Sequence, residues 1–132
     1  MPTVKIRDKD PRGHLAFDLR DILSAIGPRA ENSIWAVANE TSTGEPLMVV
    51  GNSEALDELV LFKTTVSGIQ LLEILKGVEQ IISGEFSGFE IASSLDPWIV
   101  IVAFDSSWFE VRTDDEPTLA RLRERFADVS PV

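Results

Sequence analysis

The chain has 132 residues, is 44% hydrophobic and has a mean hydropathy of +0.07, the size and balance of one globular domain over 1–132. Twelve basic against 22 acidic residues give a net charge of −10, a field that repels phosphate backbones and anionic headgroups and argues against nucleic-acid and membrane partners. The chain has no cysteine, which excludes disulfides, thiolate nucleophiles and cysteine-ligated zinc.

Residues 1–17 read in two ways. Val4 and Ile6, then Leu15 and Phe17, alternate with polar neighbours around Asp10-Pro11-Arg12-Gly13, a pattern that fits a hairpin at a sheet edge or a flexible arm. A helix is predicted over about 19–26, because Leu19, Ile22, Leu23 and Ile26 fall on one stripe. Asp18 is its expected N-cap, accepting the free N–H groups of the first turn, and Gly27-Pro28 is its stop. Ser33 to Ala38 reads as a strand, 41–46 as a turn region and Leu47 to Val50 as a second strand. Ser53 then opens a predicted helix to about Phe62, although 59–65 also carries a strand pattern. Ser67 and Gln70 have capping-box spacing at the head of a helix that Gly77 ends.

The clearest pattern follows. Residues 78–91 are strand-like, with Gly84 marking an expected bulge. Trp98 to Phe104 is apolar on both faces, and 108–113 is a third strand. Three strands with short connections make a C-terminal antiparallel meander (about 78–91, 98–104, 108–113), whose middle member must be covered on both faces. A last helix is predicted from Pro117 to about Ala127, with Leu119, Leu122 and Phe126 as its buried stripe. The fold class is therefore α+β, an antiparallel sheet packed by about four helices. If those helices cover only one face, a second copy of the chain is the expected cover for the other, making a homodimer.

No segment carries a reaction motif. Dinucleotide and Walker fingerprints are missing, and no carboxylate run has the spacing of a calcium loop. His14 is the only histidine, so no multi-histidine metal site exists, and neither metal nor cofactor is expected. Asp105, Ser106, Ser107 and Glu110 form the most site-like local cluster, a carboxylate beside hydroxyls at a strand end, which is also ordinary turn chemistry. Trp35, Trp98 and Trp108 read as core side chains more readily than as a ligand pocket.

Charge is the remaining signal. Residues 31–132 hold six basic and 18 acidic residues, net −12, and Glu54, Asp57 and Glu58 crowd one helix start. Like charges at i, i+3 and i, i+4 repel, while the helix dipole favours them there. These residues are the expected partner-binding cluster. The reading that follows is a non-enzymatic protein-interaction domain with an acidic surface and a basic protein partner. By charge and size, an immunity-type inhibitor that covers a basic active site is one instance of it. The alternative is a small-molecule-binding protein or an enzyme with an unfamiliar carboxylate site. Residues 1–17 lack the apolar run of a signal peptide and Trp98–Phe104 is too short to span a bilayer, so a cytoplasmic setting is expected.

Overall fold

The computed structural model describes residues 1–132, and its sheet is built around the doubly apolar segment that patterning singled out. The elements run β1 Thr3–Ile6, α1 Leu19–Ile26, α2 Pro28–Glu31, β2 Ile34–Val37, β3 Met48–Gly51, α3 Glu54–Phe62 and β4 Val66–Ser67. They continue through α4 Gly68–Leu75, β5 Val78–Phe89, β6 Ile99–Phe104, β7 Trp108–Thr113, α5 Glu116–Arg125 and β8 Val129–Pro131. The sheet order is β4-β2-β5-β6-β7-β1-β8, with β3 also paired to β5, and every pairing is antiparallel. The predicted α+β class and the meander β5-β6-β7 are both present.

Register separates the two faces of the sheet. One cross-strand row runs Val37, Phe86, Ile101, Val111, Val4 over five strands. These residues belong to one cluster of 25 buried side chains that also takes in Leu19, Ile22, Leu23 and Ile26 of α1, Leu56 of α3, Leu71 and Leu75 of α4, and Leu119 and Leu122 of α5. The adjacent row, one residue along each strand, points the opposite way because side chains alternate. It runs Glu85, Val102, Glu110, Lys5, Ser130.

That second face is not bare. Val100 and Val102 on this face are only 8% and 0% exposed, yet lie outside the helix-side cluster, and Phe104 stacks on Trp108 beside them with Lys5 over the indole. The segment between β2 and β3 folds onto this face: Ser42 donates through its N–H and hydroxyl to Glu85 Oε1 (3.0 and 2.6 Å), and Arg112 reaches Ser42 Oγ at 3.4 Å. The burial that patterning assigned to a second copy is supplied within the chain.

Three further points differ from the sequence reading, and one open alternative is settled. Thr3–Ile6 is neither an arm nor an edge hairpin but an inner strand, paired to β7 on one side and β8 on the other; only a bridge between Lys9 and Leu15 is hairpin-like. Gly27-Pro28 stops α1 as expected, but Pro28 also opens the single-turn α2, where its fixed φ and missing N–H cost nothing. The helix after Ser53 runs to Phe62, as expected, so the strand alternative for 59–65 is not taken, and the pairing with β2 falls to Val66–Ser67. The bulge lies not at Gly84, which pairs regularly with Ala103, but at two slips against β3, where Ile82 and Glu79 are the extra residues. Gly84 is instead a packing glycine: a Cβ there would stand 2.9 Å from the Phe86 ring and 3.1 Å from Leu47.

Candidate functional site

Helix α3 packs through Leu56 and Leu59, which face the core, while its polar residues Glu54, Asp57 and Glu58 turn outward in its first turns. Ser53 occupies the N-cap position without capping by its side chain; its hydroxyl donates to Asp57 Oδ2 (2.9 Å), and Asn52 Oδ1 takes the Glu54 N–H (3.1 Å). The helix ends at Lys63, whose φ of 53° is left-handed. At 3.6 residues per turn, Glu54, Asp57, Glu58, Leu61 and Phe62 fall within about 140° of the helix circumference, opposite Leu56 and Leu59. All five are exposed, Leu61 at 72% and Phe62 at 65%. The outward side of α3 is therefore acidic in its first turns and apolar in its last.

The acids on this side have no basic partner. Across the chain, five of the 22 carboxylates face a basic side chain within 4.0 Å, namely those of Asp10, Glu73, Glu90, Glu110 and Asp115, which leaves 17 without one. Three of the twelve cations are meanwhile held by the chain itself: Arg20 donates to Val78 O, Arg121 to Ile26 O, and Arg29 bridges Glu90 and Asp115 while lying over the Trp98 ring. Beside α3 runs a groove of about 360 Å³, bounded by Asn39, Pro46 and Leu47 on one wall and by Asp57, Val60, Leu61 and Lys63 on the other.

A second concavity, about 530 Å³, lies where the 13–18 segment, the head of α1, the bulged part of β5 and the β6–β7 turn meet. Asp18 sits in its wall, 5% exposed. Its carboxylate turns to the Ile81 N–H (3.0 and 3.3 Å), a donor beside the β5 slips, while Asp21 accepts the Asp18 N–H at 2.8 Å. Asp18 is the N-cap of α1, as expected, in a capping box with Asp21, and in addition ties α1 to β5. Burial pushes its carboxyl up from the ordinary 3.8 to about 6, against the opposing pull of the Leu19 and Ile81 N–H groups and of Arg20.

The cluster Asp105, Ser106, Ser107 and Glu110 does not converge. Asp105 and Ser106 are both left-handed (φ 46° and 61°), in a tight turn closed by the Ser107 N–H on Phe104 O at 2.8 Å. Ser106 lines the large cavity, as does His14, yet the two share no hydrogen bond, and the imidazole faces Asp10 at 4.0 Å. Glu110 lies on the second sheet face, where it accepts from Trp108 Nε1 at 3.1 Å and meets Arg112 at 3.8 Å. The other two indoles also find acceptors inside the chain, Trp35 on Ala30 O and Trp98 on Ser33 Oγ, both at 2.9 Å. No group of three or more His, Asp or Glu side chains is arranged to hold a metal, and no helix is long and apolar enough to cross a membrane.

Leu61 and Phe62 are the surface residues that patterning missed, since two large apolar residues at the end of an amphipathic segment read as core. The available signal was angular: they lie off the Leu56–Leu59 stripe and on the side of the acids. No family model, curated protein or solved structure matches the chain, so its own geometry carries the functional reading.

Proposed function

We propose that this chain is a non-enzymatic protein-interaction domain that receives a basic protein partner on its acidic surface. The observation behind this reading is that 17 of 22 carboxylates lack a basic neighbour, with Glu54, Asp57 and Glu58 set in one exposed group on α3. A field of uncompensated charge accelerates encounter with a partner of opposite sign and rejects partners of the same sign. An inhibitor that covers the cationic active site of a nuclease, as immunity proteins do, is the narrower form of the proposal, and a cytoplasmic setting accompanies it. The test is association kinetics with the partner retained at low salt and released at high salt. The on-rate should fall steeply as the Debye length shrinks from about 10 Å at 0.1 M to about 3 Å at 1 M. Replacing Glu54, Asp57 and Glu58 together by Gln should slow association more than it speeds dissociation. An on-rate indifferent to salt would remove the proposal.

The large cavity supports a second reading, a small-molecule binder or an enzyme centred on a carboxylate, because Asp18 titrates near neutrality in its wall. A fragment screen read by NMR would favour it if hits cluster at Asp18, Ser106 and Gln80 and bind with a midpoint near pH 6.

A further inference from the structure

We infer that the outward side of α3 and the groove beside it form the docking surface, and that its occupant is a basic polypeptide segment carrying an apolar anchor. This rests on the interaction reading above and names where and how contact is made. Adjacent large apolar residues left in water on a helix are costly unless a partner covers them, and interfaces concentrate their energy in such anchors within a polar rim. Here Leu61 and Phe62 supply the anchor side and Glu54, Asp57 and Glu58 the rim, while Val60 and Leu47 line a groove able to admit an apolar side chain. Lys63 is the one cation lining the groove.

The charge selects the occupant. A second copy docking by two-fold symmetry would bring −10 against −10 and gather six acids at one seam, with only Lys63 of each copy to answer them. A purely cationic chain would satisfy the rim and leave Leu61 and Phe62 wet. A basic segment with an apolar residue answers both features at once.

Two synthetic peptides test this, one of lysines with leucines and a single tryptophan, the other of lysines and glycines, each titrated into the full chain by NMR and calorimetry at about 50 mM salt. The apolar-bearing peptide should shift the amides of 54–63, Asn39 and Leu47. Combining Leu61→Ala with Phe62→Ala should weaken it at least about ten-fold while leaving the lysine–glycine peptide within about two-fold. Both side chains are exposed and alanine is the stronger helix former, so the variant keeps its fold. The Gln triple variant should weaken both peptides. Shifts confined to other surfaces, or equal binding by the alanine variant, would overturn the docking site while leaving an acidic interaction surface in place. Failure of both peptides to bind would overturn the interaction reading itself. Self-association of the free chain that Leu61→Ala and Phe62→Ala abolish would assign the surface to a second copy and overturn the inference.

Discussion

The two faces of the sheet are built from the same strands, one residue apart, and do opposite work. On the helix side, Phe86, Ile101, Val111 and Val4 stand in a row inside a dry cluster roofed by five helices. On the other side, the neighbouring row alternates Glu85, Val102, Glu110 and Lys5, and polar side chains and a loop provide the cover. Full burial of an apolar residue therefore does not by itself indicate a helix above it. Val102 is as inaccessible as Ile101, but charged neighbours in its own row flank it rather than hydrocarbon.

This contrast is open to measurement. Phe109→Ala, on the helix side against Phe17, should cost about 3–5 kcal/mol in urea unfolding, because the packed layer cannot collapse into the void. Gly68→Ala tests the helix layer itself. A Cβ at Gly68 would lie 1.9 Å from Ala30 O, so α4 must move away from α2, at about 3 kcal/mol or more. Chemical denaturation with an intact far-UV spectrum would separate this displacement from loss of the helix.

Asp18 introduces the one strongly perturbed charge of the helix layer. Its folded-state pKa of about 6 exceeds the ordinary 3.8, so the folded chain binds this proton more tightly than the unfolded chain. Its contribution is most favourable below about pH 4, declines as pH rises towards 6 and is constant above, a change of about 3 kcal/mol at 1.36 kcal/mol per unit. Asp18→Asn, which keeps an acceptor for the Ile81 N–H, should therefore gain on the wild type as pH rises from 4 to 7. A constant difference between the two unfolding midpoints across that range would refute the assignment. On the open face the effects should be smaller. Val102→Ala is expected to cost about 1–2 kcal/mol, less than Ile101→Ala, since loop and long side chains can settle over the gap. Arg112→Gln should cost about 1 kcal/mol, because its contact with Glu110 is long at 3.8 Å and Glu110 keeps the Trp108 Nε1 donor. If Val102→Ala matched Ile101→Ala, the distinction between the two covers would fail.

The meander was legible because a run apolar on both faces has few places to go, and glycine and proline punctuate its ends. Where information was carried over long range, the sequence was silent. Val4 and Ile6 lie in a charged stretch, and only their pairing with Phe109 to Arg112 makes them strand. The β5 slips follow from a change of parity, Val78 and Phe86 even but Ile81 odd, which matters only once β3 is alongside. Of the surface, the acids of α3 were visible as composition. The exposure of Leu61 and Phe62 was not, because it depends on which side Leu56 and Leu59 turn inward. The large cavity needs residues 13–18, 79–80 and 106 brought together, and no local pattern announces that.

The place of β1 between β7 and β8 has a consequence in time. A strand made of residues 3–6 finds its first neighbour at residues 109–112, over a hundred positions later. At translation rates of about 5–20 residues per second, Val4 and Ile6 wait between roughly 5 and 20 s for a surface to pair with. Such distant pairing also places the fold among slowly closing topologies. The helices and the β5–β6 hairpin can organise in that interval. The pairings of β1 can be made only after β7 and β8 exist, by a segment made long before either.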